Sequence, residues 1–405
     1  MRGQVRKRGN NEGSIYQRSD GRWAGAVTLE DGRRKSFYGK TRSEVAGKVN
    51  RALTELQQGI TPADDRLTVR QYMAVWLEGR KDSLRYATYR DYESRIRLYI
   101  DPSLGSVRLS KLTPEQVERM LAKMQEAGLS PRTRQYVHAV LRAALQTAVK
   151  RGRIPRNVAM LIDGPSVKRE PVKPLTVEEA KTFLAAATEE RLLGPLYTVT
   201  LGLGLRKGET LGLRWQDVDL EERRLWVRHA LQRQKGKGLV LVEPKSRTSR
   251  RPLALPPFVV EAFKEQRRRQ VEQRLASGPH WQDQDFVFTM PDGRPVSGDY
   301  INAKFPKFLK RSFTRCPLCG EGQVHDGHCE KCGGAAIVQV PAITFHGLRH
   351  SCASLLFAQG CSLRLVMEIL GHSQIALTAN TYTHLLPEAD REAATAMESV
   401  LGADS

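Results

Sequence analysis

The sequence predicts a multidomain chain. A small three-stranded β-sheet plus helix comes first, then an all-α helical bundle, then a mainly helical α+β domain with a short antiparallel sheet. Three observations predict it. Strand-like alternation with two Asp-Gly turns precedes Thr41. Three-four apolar spacing begins at Leu67 and stops at a proline-containing stretch that ends at Pro174, and beyond it helical and alternating segments are interspersed. The length of 405 residues agrees, because about 150 residues per domain gives two or three domains.

Residues Gly13 to Arg18, Arg22 to Glu30 and Arg34 to Lys40 carry Tyr16, Trp23, Val27 and Phe37 in alternation, with Asp20-Gly21 and Asp31-Gly32 as hairpin turns. Thr41-Arg42-Ser43-Glu44 is a capping box that opens a helix to about Gln58, with Val45, Val49, Leu53 and Leu56 on one face. Gly59 and Pro62 close this first domain, residues 1–62. Residues 63–152 form the bundle: helices around Val69 to Leu77 and Ala87 to Tyr99 precede two opened by Thr113-Pro114 and Ser130-Pro131. Residues 153–174, without periodicity, read as a linker. The third domain, 175–405, starts at the capping box Thr176-Val177-Glu178-Glu179. Its strands are expected at Arg224 to His229, Leu239 to Glu243 and Arg251 to Leu255. Its helices are expected at Val177 to Ala187, Leu192 to Leu205, Phe258 to Leu275, Ser351 to Phe357 and Leu363 to Leu370. A last helix, Pro387 to Leu401, carries an apolar stripe of Ala393, Ala394, Met397 and Val400.

Lys plus Arg number 65 against 44 Asp plus Glu, a net charge of +21, so the expected partner is a polyanion. An anionic membrane surface fits the charge alone, but the longest apolar run, Leu192 to Leu205, falls short of the ~20 residues a span needs. The basic N-terminus is followed by no apolar signal segment, and a cytoplasmic location is expected. Four of the six cysteines are packed into Cys316-Pro-Leu-Cys319-Gly and Cys329-Glu-Lys-Cys332-Gly, which no secreted disulfide framework would do. Two CxxC knuckles, each followed by Gly, are the pattern of a tetrahedral four-cysteine zinc ribbon, placed at about 314–340. His325 or His328 in place of one Cys is the lesser alternative. The expected zinc is structural: it staples a loop too small for its own core. A ribbon that touches DNA or a neighbouring protomer is the sharper alternative.

Several short motifs follow one another in the third domain. Arg206 ends an apolar run in Gly204-Leu205-Arg206-Lys207-Gly208-Glu209, with Glu209 three residues on to hold its guanidinium; alone, this is the spacing of any surface ion pair. His346 and Arg349 in His346-Gly347-Leu348-Arg349-His350 share a helical face, where an imidazole and a rigid donor fork can meet one phosphate. Leu370-Gly371-His372 places a histidine just past a helix end, and Thr381-Tyr382-Thr383-His384 supplies a phenol. Among nine histidines and eleven tyrosines each piece by itself is weak.

Their order, GLRxGE, PKS, HxLRH, LGH and TxxTYxH, resembles the catalytic domain of the tyrosine recombinases, the integrase family of phages and conjugative elements. The resemblance extends to the whole chain, since such integrases carry an arm-type DNA-binding domain and a helical core-site DNA-binding domain ahead of the catalytic one. It implies Arg206 and Arg349 as the two family arginines, His346 and His372 as the two histidine positions and Tyr382 as nucleophile. Lys245 is implied as the hairpin lysine, with Lys235 and Lys237 on the preceding turn as rivals, and Glu209 as the supporting acid. The implied enzyme is a site-specific recombinase of bacterial or phage origin. It cuts and rejoins double-stranded DNA through a 3′-phosphotyrosyl intermediate, works as a homotetramer on synapsed DNA, and needs neither ATP nor a catalytic metal. A topoisomerase-like nicking and resealing enzyme, or a non-catalytic zinc-containing DNA-binding protein, are the competing readings. In the family the tail docks on an adjacent protomer; folding back on its own domain is equally open here.

Overall fold

The computed structural model describes residues 14–28, 32, 34–57, 66–167, 173–244, 250–313, 319, 324–325, 328–334 and 341–371. The chain divides into two compact units, 1–169 and 170–405.

In the first unit, β1 (Ser14–Gln17), β2 (Trp23–Thr28) and β3 (Arg34–Gly39) form an antiparallel meander, with Tyr16 opposite Ala24 and Gly25 opposite Phe37. Helix α1 (Arg42–Gln57) lies on it through buried Val45, Val49 and Ala52, which pack with Val27. The approach is close enough that Gly25 is required: a Cβ there would come within 2.7 Å of Val49 Cγ2. Glu44 N donates to Thr41 Oγ1 (3.2 Å), while its carboxylate accepts from Lys40 N (3.0 Å), one residue earlier than the expected capping box.

The bundle contains α2 (Val69–Glu78), then α3 (Tyr86–Arg95), which continues through a π-helical turn at Ile96–Ile100 into the short α4 (Asp101–Leu104), then α5 (Pro114–Glu126) and α6 (Pro131–Lys150). Trp76, Met73, Leu141 and Leu145 are among its most buried side chains. The two polar atoms that α2 takes into this core are paired: Tyr72 Oη donates to Ala144 O (2.9 Å) and Trp76 Nε1 to Thr147 Oγ1 (3.1 Å). The stretch read as a linker is partly core. Ile154, Val158, Ala159 and Ile162 are buried in the bundle cluster, and Asn157 Nδ2 donates to Arg142 O (2.9 Å). An irregular segment buries apolar residues without period, so periodicity could not reveal it.

The second unit is built around α8 (Gly194–Leu203), a helix apolar on all sides and therefore central. Helix α7 (Val177–Glu189) has the expected Thr176–Glu179 capping box, with Thr176 N donating to Glu179 Oε2 at 2.8 Å. After α9 (Lys207–Leu211) come β4 (Val218–Asp219), β5 (Arg224–Val227), β6 (Ala230–Gln234), β7 (Gly238–Val242) and β8 (Arg251–Ala254). They make a sheet in the order β4-β5-β8 and a separate β6-β7 hairpin. The sequence put the second strand in one sheet with its neighbours; it pairs instead with β6, whose polar Gln232, Arg233 and Gln234 gave no alternation. The long α10 (Pro257–Ser277) is followed by α11 (Gly298–Phe313), which the sequence reading lacked because Pro306 lies inside it. Phe305 of α11 meets Tyr197 edge-on and Phe308 meets it tilted, with ring centroids 5.5 and 4.6 Å apart. A two-residue ladder, β9 (Val324–His325) with β10 (His328–Cys329), precedes α12 (Gly347–Ala358) and α13 (Leu363–Leu370). No helix among the described residues is long and apolar enough to cross a membrane. The tail from His372 onward, including the expected helix at 387–401, lies outside the described residues.

Candidate active site

Gly204 ends α8 in the left-handed region (φ 60°, ψ 31°), and the chain turns so that Arg206 caps α9. Glu209, 3% exposed, returns to Arg206 twice: Oε2 accepts from the Arg206 backbone N (3.1 Å) and Oε1 from Nη1 (2.6 Å). The expected pair therefore exists, but as a buried carboxylate beneath a half-exposed guanidinium rather than a surface contact.

Arg349 stands in the first turn of α12, 3% exposed. Its Nη1 donates to Gly204 O (2.7 Å) and its Nη2 to Leu370 O (2.6 Å). Arg206 Nη2 donates to the next carbonyl, Gly371 O (3.0 Å), at the end of α13. A third arginine, absent from the sequence reading, takes the preceding one: Arg251 Nε donates to Ile369 O (2.6 Å), and its Nη2 lies 3.4 Å from Glu209 Oε2. Helix α13 closes at Gly371 in the left-handed conformation (φ 65°, ψ 46°), as the Leu-Gly-His motif predicted. Its last carbonyls lack helical partners and carry the negative end of the helix dipole, so three guanidinium groups meet them with both hydrogen bonds and charge. The sign of Arg251 in the sequence was parity: on β8 it shares the buried face with Leu253.

Burial alone would raise the Glu209 carboxyl pKa, but the charge of Arg251 and then that of Arg206 outweigh it and hold the group below the ordinary value. Glu209 is a carboxylate at neutral pH. His346 precedes α12, its ring edge-on to His350 with centroids 5.2 Å apart. Packing around the imidazole, then the charges of His350, Arg349, Arg206 and Lys207, push its pKa down to about 4. Cys352, buried behind Arg349, has its thiol pushed up to about 12 by desolvation and is inert packing. Lys245, His372 and Tyr382 lie outside the described residues. The site therefore brings together Arg206, Glu209, His346 and Arg349: two fixed cations and a neutral imidazole, suited to an oxyanion.

Of the four clustered cysteines, Cys316 is outside the described residues; Cys319, Cys329 and Cys332 have sulfurs within 4.8 Å of one another. Cys319 and Cys329 sulfurs are 3.6 Å apart, well beyond the ~2.05 Å of a disulfide. The amides of Lys331 and Cys332 point at Cys329 Sγ (3.3 and 3.5 Å). This donor set can hold a soft cation.

Comparison with known proteins gives the same reading. Residues 173–389 match the model of the phage integrase family, and residues 68–125 that of the phage integrase N-terminal SAM-like domain. An integrase of Saccharopolyspora erythraea is 28% identical, covering 93% of this chain and 94% of its own. A XerC-like tyrosine recombinase of Caldanaerobacter subterraneus is 30% identical over 88% of this chain and 89% of its own. The Tn1549 transposon integrase, solved in complex with transposon right end DNA, superposes with TM-score 0.66 at 25% identity, covering 83% of this chain and all of the other. The chain belongs to the phage integrase family, the tyrosine recombinases, enzymes that cleave and rejoin DNA in site-specific recombination of phage or transposon elements.

In the DNA-free protein His346 is therefore expected to be neutral at pH 7. An NMR titration of its imidazole protons should give a midpoint below about 5, whereas a midpoint near the unperturbed ~6.5 would contradict the cationic surroundings described here.

Proposed function

We propose that this integrase breaks one phosphodiester of each strand at its core site with Tyr382 as nucleophile, and that Arg206, Arg349, His346, His372 and Lys245 serve that bond. The observation that carries the reading is the convergence of Arg206 and Arg349 on the end of α13, the helix from which the chain leads through His372 to Tyr382. Two rigid forks on the non-bridging oxygens offset the negative charge those oxygens carry as phosphorus becomes five-coordinate. The Tyr382 oxygen bonds to phosphorus and gives its proton to His346, which is neutral in the DNA-free protein and gains basicity when the charge of the phosphate offsets the neighbouring cations. The bond to the 5′ oxygen breaks, and Lys245 supplies the proton that oxygen gains. His372 donates to the phosphate. A 5′ hydroxyl of a partner duplex reverses the sequence against the phosphotyrosine. Each step exchanges one phosphodiester for another, so no ATP is consumed, and the cations that a metal would replace are arginines.

The supporting surfaces follow the same logic. Residues 1–62 are proposed to bind arm sites: exposed Tyr16 and Tyr38 lie on the sheet, with Arg18 5.5 Å above the Tyr38 ring and Lys35 5.8 Å from that of Phe37. Residues 63–152 are proposed to grip the core site and 175–405 to perform the chemistry. The λ integrase, a structural neighbour at 17% identity and TM-score 0.51, was solved as a tetramer bound to a Holliday junction, and a homotetramer on synapsed double-stranded DNA in the cytoplasm is proposed here. Cys316, Cys319, Cys329 and Cys332 would hold one structural zinc, which supplies the crosslink that this loop lacks as a core. Integration, excision or both of a mobile element are the biological outcome.

On a nicked suicide duplex, the wild type is expected to form a covalent protein–DNA adduct and Tyr382→Phe none, at unchanged DNA affinity; an adduct with the variant would place the nucleophile elsewhere. Elemental analysis of the purified protein should find one zinc per chain, lost together with the fold of the ribbon in Cys329→Ser, and a metal-free native protein would remove zinc from the account.

A further inference from the structure

The two expected arginines account for Leu370 O and Gly371 O, but not for Arg251, a charged side chain only 7% exposed on a strand of the catalytic unit. Its neighbours define its task. Glu209 Oε2 is shared between the Arg206 backbone N and Arg251 Nη2, and Arg251 Nε fixes Ile369 O one carbonyl before those that Arg349 and Arg206 hold. Strand β8 holds the backbone of Arg251 by pairing it with Val227 of β5, so the guanidinium projects from a fixed point. Arg251 thus joins β8, α9 and the end of α13 through one rigid fork.

We infer that Arg251 is a positioning residue for DNA cleavage, keeping Glu209 from neutralising Arg206 and fixing the height of α13 under both catalytic arginines. The inference rests on the function proposed above. Arg206 and Arg251 share the one carboxylate while Arg349 stands on carbonyls, so of three cations and one anion two positive charges remain for an incoming phosphate. Without Arg251 the buried carboxylate has Arg206 as its sole described guanidinium partner, and the phosphate must compete with Glu209 for that cation. Arg251 is itself buried and bonded to Glu209 and Ile369 O, so its effect on an incoming phosphate would pass through Glu209 and the helix end. Lysine cannot replace it, because a point charge cannot span a carboxylate and a carbonyl in fixed geometry.

The test compares wild type, Arg251→Lys, Arg251→Gln, Glu209→Gln and the double variant Glu209→Gln/Arg251→Lys, full length, on the nicked suicide duplex. Three quantities are read: the melting temperature, the DNA dissociation constant and the rate of adduct formation at saturating DNA. Arg251→Lys is expected to keep its DNA affinity and to lose about 100-fold in the rate of adduct formation, the size that a misplacement of about 1 Å in a catalytic group produces. The double variant is expected to be no slower than the slower single one, since both act through one carboxylate. A wild-type rate in Arg251→Lys, losses that multiply in the double variant, or affinity falling in step with rate would each overturn the inference. If Arg251→Gln melts below the assay temperature, the charge-preserving Arg251→Lys decides. An absence of adduct with the wild type itself would instead remove the underlying function, so the two failures are distinct.

Discussion

Three guanidinium groups end on three consecutive carbonyl oxygens, those of Ile369, Leu370 and Gly371, at the end of α13. Each comes from a different element. The apolar α8 stops at Gly204 so that Arg206 emerges at the start of α9; α12 carries Arg349 back onto Gly204 O; β8 brings Arg251 from the sheet. A Cβ on Gly204 would sit 2.7 Å from Leu370 Cδ2, so the reversal that releases Arg206 is also where α8 meets the end of α13. Clustering cations is unfavourable unless anions or dipoles answer them. Here Glu209 supplies the full charge and a helix C-terminus the partial one. Removing a partner from such a buried set costs about 3–5 kcal/mol, because a charge is then left buried and unpaired.

This arrangement explains which parts of the molecule could be read from the sequence. Arg206 and Glu209 were legible because they interact at three residues' distance within one short helix, and Gly371 because a left-handed helix end needs glycine. Arg251 was not, since its partners lie 42 and 118 residues away and only its inward parity on β8 betrayed it. The same divide holds for the fold. Helix α7 announced itself with a capping box, whereas α11 hid behind Pro306 and β6 behind its polar residues. Ile154, Val158, Ala159 and Ile162 pack as core without any period at all. Local chemistry is written in local sequence; what tertiary packing decides is not.

The net charge of +21 now separates into two populations. Exposed Arg18 and half-buried Lys35, set against aromatic faces on the first sheet, belong to the surface proposed to follow a phosphate backbone. Such contacts contribute affinity that salt weakens. Arg206 and Arg349 differ because their geometry is fixed by carbonyls and by Glu209 before any DNA arrives, and under the proposed mechanism such preorganised charge would act on the transition state rather than on binding. His346 is tied to the same groups: packing first, and then the cations that would hold the phosphate, keep its imidazole neutral in the DNA-free protein.

That fixed charge is the core of the account, and a neutral scissile group tests it most directly. The measurement is the rate of adduct formation by wild type and Arg206→Ala on two nicked duplexes that differ only at the scissile position, phosphodiester in one and uncharged methylphosphonate in the other. If Arg206 acts by neutralising a phosphate oxygen, the variant should be severely slowed on the phosphodiester and recover most of its rate relative to wild type on the methylphosphonate. An equal deficit on both substrates would show that Arg206 does not work through charge on the phosphate, and would contradict the account.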